Sequence, residues 1–441
     1  MAALPGPTPA RPVPLATAEE GRHRRDRLAL TTARTLRGFG AGALSVVFAI
    51  DLTRGGYSPL WVGVILGVAM GAAAAWAILI PGRIPWLARR GLFLVGAVAV
   101  AAGGFLLWYD LTSPWSLLPA LFLGGIVAGG ADISPLGALE QGGLSRSVED
   151  PRRTRAFAAY NLAGYIGTAA GALVAGPLSA ASITLSGLPP GPRDTTFLLY
   201  GLLGLTLIPT YLGLSSPRIT DRTRRESLPL SGESRRPVFR LSGLFTVDSF
   251  GGGMTTNALV AYFLVLRFGA SPDTIGVILS TANIAAGVSL LLAVPLAERF
   301  GLINTMVFTH IPSSVLLILF AFTPTVVLAG VAWAARATLS QMDVPTRQSY
   351  TQAIVPREEG AAAAGYTTAA RSAQALGSPV SGALFAVGGP WLAGPFAIAG
   401  TVKIGYDLAL YGSFRKLRPP EERVATPSAG APSVPEAVAR R

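Results

Sequence analysis

The chain has 441 residues, of which 51% are hydrophobic and only 13% charged, with a mean hydropathy of +0.49. Soluble domains carry about 25% charged residues, so one aqueous core cannot hold these side chains and lipid must take them. The absence of cysteine excludes disulfides and thiolate chemistry, two histidines (His23 and His310) leave little for a metal centre or a catalytic triad, and a net charge of +13 scattered between apolar runs argues against nucleic acid.

Residues 1–28 are proline-rich and then basic (GRHRRDR), with no early apolar core, so they read as a disordered cytoplasmic tail rather than a cleavable signal. Runs of spanning length follow at 34–53, 58–80, 90–110, 115–139, 156–183 and 195–214. They make residues 29–215 a six-helix bundle. A polar Pro/Ser/Arg-rich linker occupies 216–240. Six more runs fall at 241–266, 273–297, 302–322, 325–350, 361–388 and 391–413, giving a second bundle over 241–415. The Pro/Ala/Ser-rich tail from 416 to 441 reads as disordered. The expected fold is an all-α polytopic membrane protein of twelve transmembrane helices in two pseudo-symmetric six-helix bundles.

With the N-terminus cytoplasmic, the inner connections collect Arg83, Arg89, Arg90, Arg146, Arg152, Arg153, Arg155, seven linker arginines, Arg299 and Arg357. The outer ones hold only Arg54, Arg193 and Arg267. Cationic loops resist translocation, so a multi-pass protein of the cytoplasmic membrane with both termini inside is predicted.

The two halves are related. RGGYSPLWVGVIL (54–66) aligns without gaps to RFGASPDTIGVIL (267–279), with eight of thirteen positions identical. Asp132, Pro135 and Asp150-Pro151 similarly match Asp343, Pro345 and Val355-Pro356. Duplicated six-helix halves are a transporter architecture with the solute held between them.

The loop between the eighth and ninth runs reads VPLAERFGLI, and the loop between the second and third reads PGRIPWLARR. Leu296, Glu298, Arg299 and Gly301 in the one, and Arg89 and Arg90 in the other, match a loop signature of the form G-x-L-x-D-R-x-G-R-R. The fourth run and its loop, GGADISPLGALEQGGLSRSVEDPRRTR, carry a glycine pair, a proline and loop arginines in a related pattern. In these motifs and in its repeat the chain resembles the major facilitator superfamily over nearly all of residues 30–415. The resemblance implies two bundles that rock about a central site. The marks of that family's proton-driven antiporters are sparse: Ile126 stands where their fourth-helix arginine would fall, and Gly167, Gly171, Gly176 and Pro177 only approximate their fifth-helix pattern.

A charge near the bilayer centre is costly unless paired or hydrated, so each needs a reason. Arg336, Ser340, Asp343 and Arg347 are spaced to share one face of the tenth helix, as are Thr367, Arg371, Gln374 and Ser378 on the eleventh. Asp132 and Glu140 share a face of the fourth, and Asp248 precedes the flexible triplet Gly251-Gly252-Gly253 on the seventh. The substrate and proton pathway is therefore expected among Asp132, Glu140, Asp248, Arg336, Asp343, Arg347, Arg371 and Gln374, with structural ion pairing as the alternative for each. Arg336 and Arg371 lean towards a solute with an anionic group. Lys403 and Asp407, four apart, read as neutralising each other, and His310 as a hydrogen-bonded structural histidine. Gly63, Gly67 and Gly71 form a stripe for close helix packing. A cytoplasmic gate is expected from Arg89 and Arg90 with Glu358 and Glu359, and from Glu298, next to Arg299, with Arg152 and Arg153.

The sequence thus reads as a secondary active transporter of a small solute, proton-coupled and with efflux favoured over uptake, working as a monomer in the lipid bilayer. No P-loop provides for ATP, no metal or cofactor is expected, and an enzyme would need nucleophile–base pairs or ligands that the composition denies. The alternative is a non-transporting sensor or assembly partner on the same scaffold.

Overall fold

The computed structural model describes residues 15–83, 89–123, 135–148, 150–181, 194–215, 229–356 and 359–415. Every regular element among them is helical. The first half contains α1 (Leu15–Arg54), α2 (Pro59–Arg83), α3 (Arg89–Tyr109), α4 (Pro114–Leu123), α5 (Pro135–Arg146), α6 (Asp150–Ala180) and α7 (Thr195–Leu212). The second contains α8 (Gly232–Gly253), α9 (Asn257–Phe268), α10 (Pro272–Phe300), α11 (Leu302–Ala321), α12 (Val326–Ser340), α13 (Asp343–Ala353), α14 (Gly360–Arg371), α15 (Gln374–Val387) and α16 (Gly394–Phe414).

Local signals set many of these ends. The repeated Ser-Pro starts both α2 and α10, and in α10 the Ser271 hydroxyl accepts from the Thr274 amide. Thr256 and Thr325 cap α9 and α12 in the same way, and Gly269, at φ 62°, closes α9 in the left-handed region. Two boundaries depart from expectation. Helix α1 runs back to Leu15, through residues expected to be a disordered tail, because the Ala, Glu and Arg of that stretch are strong helix formers. Helix α8 begins at Gly232, inside the expected linker, with the Ser231 hydroxyl accepting from the Ser234 amide.

Eight described helices or helix pairs are long and apolar enough to cross a membrane. The fold is accordingly an all-α polytopic membrane fold. Three of the apolar runs of the second half are interrupted. Helices α8 and α9 part after the glycine triplet, α12 and α13 at Gln341-Met342, and α14 and α15 at Ser372-Ala373. The fourth run includes residues outside the described set, and α16, of spanning length, carries Lys403 and Asp407 within it.

Within the first half α1 packs on α6 and α7, and α3 on α7. Within the second, α8 packs on α14, α15 and α16, and α11 on α12, α13 and α16. Phe263, Phe320, Phe385 and Phe396 pin α9, α11, α15 and α16 together, with ring centroids 4.7 Å apart for Phe263–Phe396 and 5.0 Å for Phe320–Phe396.

The halves meet where α2 lies on α15, α6 on α10, and α1 on α9 and α10. Glycine permits this approach. A Cβ on Gly63 would stand 2.5 Å from the Ser378 carbonyl oxygen and 2.7 Å from the Gly382 Cα. One on Gly276 would meet the Ala172 carbonyl at 2.4 Å. These contacts lie near the starts of α2 and α10 and near the ends of α6 and α15, so the two halves are pressed together at one end of the molecule.

Candidate functional site

Three carboxylates, two cations and a histidine from four helices converge beneath that contact. Asp248 on α8 takes Lys403 Nζ of α16 at 2.5 Å on Oδ1 and Arg347 Nη1 of α13 at 3.2 Å on Oδ2. The same Arg347 nitrogen lies 3.3 Å from Asp343 Oδ2, one turn earlier on α13. On α11, His310 Nδ1 is 3.0 Å from both carboxylate oxygens of Asp407, while its Nε2 is 3.9 Å from Asp248 Oδ1. The imidazole thus stands between two carboxylates, with the Tyr406 ring edge-on to it. All six polar members are buried.

The chain places this cluster through its helix breaks. Gly253, the last residue of α8, lies against α15 so closely that a Cβ would sit 1.8 Å from the Gln374 carbonyl oxygen. Ser378 and Ser381 of α15 then donate to the Gly253 and Met254 carbonyls at 2.8 and 2.9 Å, satisfying groups that the interruption frees. In the triplet expected to supply flexibility, Gly253 is a close-packing point between α8 and α15, near Asp248 on the same helix.

Beside the cluster lies a cavity of about 190 Å³. Asp248, His310, Asp343, Arg347 and Lys403 line it, with Arg336 of α12, Arg371 at the end of α14 and Gln374 at the start of α15. Met70 and Ala73 of α2 supply the first half's share, so the cavity sits where the halves meet. Arg336 stacks on Trp333, 4.6 Å from its ring centroid, and its buried Nε has no hydrogen-bond partner. Among the described residues neither Arg336 nor Arg371 makes an ion pair.

Of the residues expected on the pathway, Asp248, Arg336, Asp343, Arg347, Arg371 and Gln374 come together, and Asp132 lies outside the described residues. Glu140 is elsewhere. Fully buried in the first half, it takes Arg37 Nε at 3.1 Å and Nη2 at 2.5 Å, and accepts from the Tyr160 and Tyr211 hydroxyls. That bidentate, saturated arrangement is a clamp joining α1, α5, α6 and α7.

The expected Lys403–Asp407 pair does not form. The two side chains share a helix but turn to different partners, Asp248 and His310, because helices packed across the bundle offer shorter contacts than the i,i+4 spacing. Of the expected gate contacts only Arg90 with Glu359 joins two described side chains, and it is not made. Arg90 donates to the Leu212 carbonyl within its own half, Glu359 sits beside Ser231 and Ser234, Arg299 lies over Phe300, and Glu298 is exposed. The side chains of Arg89, Arg152 and Arg153, and all of Glu358, lie outside the described residues. Sequence reasoning missed the pairing of His310 with Asp407; the signal available was a histidine and an acid each buried in an apolar run.

The two halves carry one device with its charges exchanged. Arg37 on the first helix pairs with Glu140 in the first half; Asp248 and Arg347, 211 and 207 residues further on, pair in the second. Each half ties the start of its bundle to its fourth apolar run by a buried ion pair, of opposite polarity in the two.

Residues 241–440 match the family model of the Major Facilitator Superfamily. The chain is 21% identical over 385 residues to the uncharacterized membrane protein YJR124C of Saccharomyces cerevisiae, spanning 78% of this chain and 85% of that one. Its fold is shared with the nucleoside transporter NupG (TM-score 0.67, 16% identity, 88% of this chain and 99% of that one). It is shared also with the D-xylose-proton symporter (0.67, 15%, 88% and 97%) and with a bacterial homolog of the human lysosomal transporter Spinster, inward-facing and unoccupied (0.60, 16%, 89% and 95%). The second half thus matches the Major Facilitator Superfamily model directly, an internal sequence repeat relates the first half to it, and the fold shared with these solved transporters runs through both.

Proposed function

We propose that this protein is a secondary active transporter that moves a small solute across the cytoplasmic membrane by alternating access, coupled to protons. The observation that carries the reading is a charge-lined cavity at the meeting of two related halves whose described helices are pressed together where α2 and α10 begin. A structural core has no use for such charges, whereas a pathway that must be hydrated in turn from each side does. Counting α8 with α9, α12 with α13 and α14 with α15 as interrupted single passes, and α4 and α5 as parts of the fourth apolar run, gives twelve, six in each half. The arginine-rich inner connections favour both termini in the cytoplasm.

His310 and Asp407 are the proton site. Asp248 is already shared by Lys403 and Arg347, and Asp343 by Arg347, so neither is free to exchange a proton without stranding a cation. The imidazole of His310 has only carboxylates as polar partners and belongs to the side chain that titrates at physiological pH. The charged groups facing it are Asp407 and Lys403 on α16 and Asp248 on α8, with Arg347 on the far side of Asp248.

One proton per solute across one pH unit supplies about 1.4 kcal/mol, equivalent to about tenfold accumulation. Proteoliposomes holding the full chain, given that gradient and a solute panel, are expected to show accumulation on this scale for the transported solute. His310→Gln and Asp407→Asn are expected to keep exchange between equal solute pools and to lose the response to the gradient. Gradient-driven accumulation that persists in both variants contradicts the assignment.

A further inference from the structure

Among the described residues the charge at the cavity does not balance. Asp248 and Asp343 are matched by Lys403 and Arg347, and His310 by Asp407. Arg336 and Arg371 remain, two guanidiniums lining the cavity with no carboxylate partner among the described residues. A guanidinium keeps its charge at any physiological pH, and an unpaired one in a water-poor site costs several kcal/mol. Such a cost is retained where the missing partner arrives from outside.

The remaining lining indicates what that partner looks like. Arg336 lies over the Trp333 ring, which restricts its donor fork, and its buried Nε–H lacks an acceptor. Gln374 lies three residues after Arg371, and Ser249, Asn257 and Ser340 add neutral hydrogen-bonding groups. Gln341 is oriented by the Tyr165 hydroxyl, which donates to its Oε1 at 2.7 Å. A planar fork suits the two oxygens of a carboxylate or phosphate, and neutral amides and hydroxyls suit hydroxyl groups.

Resting on the transporter reading, we propose that the solute is a small hydroxylated organic anion whose carboxylate or phosphate lies between Arg336 and Arg371. The anion supplies the countercharge that the described residues lack, so the cavity closes around it more readily than around water alone.

The test is thermal stability of the purified full chain with matched pairs: gluconate against glucose, glycerol 3-phosphate against glycerol, and lactate against lactamide. At least one anion is expected to raise Tm while its neutral counterpart does not, and the pair that responds separates carboxylate from phosphate. Arg336→Gln and Arg371→Gln are each expected to weaken that anion's binding tenfold or more, the loss of one charge-assisted contact. Each is also expected to leave the ligand-free Tm unchanged or higher, because an unpaired buried charge has been removed; a purely structural arginine would lower it. Arg336→Lys, which keeps the charge but not the fork, is expected to retain only part of the response. Equal stabilisation by the neutral partners, no response to any anion, or an undiminished response in both glutamine variants overturns the proposal. Flux in vesicles separates this from the reading beneath it: gradient-driven transport of a neutral solute leaves the transporter standing and removes the anion, whereas anion binding without flux does the reverse.

Discussion

Lys403 and Asp407 show how far the chain can be read at the scale of the residue. Their spacing is that of an i,i+4 pair, and local geometry favours their neutralising each other. The structure gives each a partner from another helix, at 2.5 Å for Lys403–Asp248 and 3.0 Å for Asp407–His310. Which residues are buried and charged is visible in the sequence; which of them meet is set by helix neighbours that no local spacing encodes. The Glu140 clamp belongs to the same scale. Removing one partner leaves a buried charge alone, a change that costs roughly 3–5 kcal/mol. Arg37→Met and Glu140→Leu are each expected to destabilise the detergent-solubilised protein by about that amount, and the double variant to recover most of it. Additive losses in the double variant would show that the pair is not the unit. Glu359 offers a pH test outside the membrane. The hydroxyls of Ser234 and Ser231 hold its carboxyl below the usual carboxylate range. A carboxyl lowered in the folded state adds stability that is present above its unfolded value and lost as pH falls through the lowered one. Ser234→Ala is therefore expected to lower Tm slightly at neutral pH and not at all in strong acid; an equal drop at both would point to lost packing instead.

At the scale of the element, the apolar runs fall close to the described helices, and the repeated Ser-Pro starts α2 and α10 as their capping chemistry requires. The interruptions were not legible. Gly251-Gly252-Gly253 reads as flexibility in a single sequence, yet its use is to bring the end of α8 against α15, where Ser378 and Ser381 take up the freed carbonyls. A glycine allows both outcomes, and only the neighbouring helix decides between them. The glycine stripe on α2 fared better, since its repeat every four residues already describes a face. Replacing Gly63 or Gly382 by valine forces a side chain into backbone 2.5–2.6 Å away. Each change is expected to cost about 1–3 kcal/mol and to make cavity positions react with impermeant thiol reagents from the side that the contact now seals. Unchanged labelling of a cysteine at Ala73 would argue that this contact does not close the pathway.

At the scale of the whole molecule, duplication was plain in the sequence, and the two halves do share a scaffold. Their interiors differ. The first half holds a saturated Arg37–Glu140 clamp, while the second turns the equivalent pair, with its charges exchanged, towards an open cavity and adds Lys403, His310 and Asp407. On the proposed function the first half acts as a support and the second carries the solute and proton chemistry, on the seventh, ninth and twelfth runs as well as the tenth and eleventh. Of the expected gate contacts, Arg90 with Glu359 is not made, and the others involve side chains outside the described residues.

The central claim is that the closed end opens while the other shuts. The native chain has no cysteine, so spin labels placed at Ser58→Cys and Val387→Cys report the distance across the α2–α15 contact without background. In lipid nanodiscs, the account predicts a short distance at rest and a second, longer population that grows when pH or bound solute is changed. A single distance, unmoved by either, would contradict it.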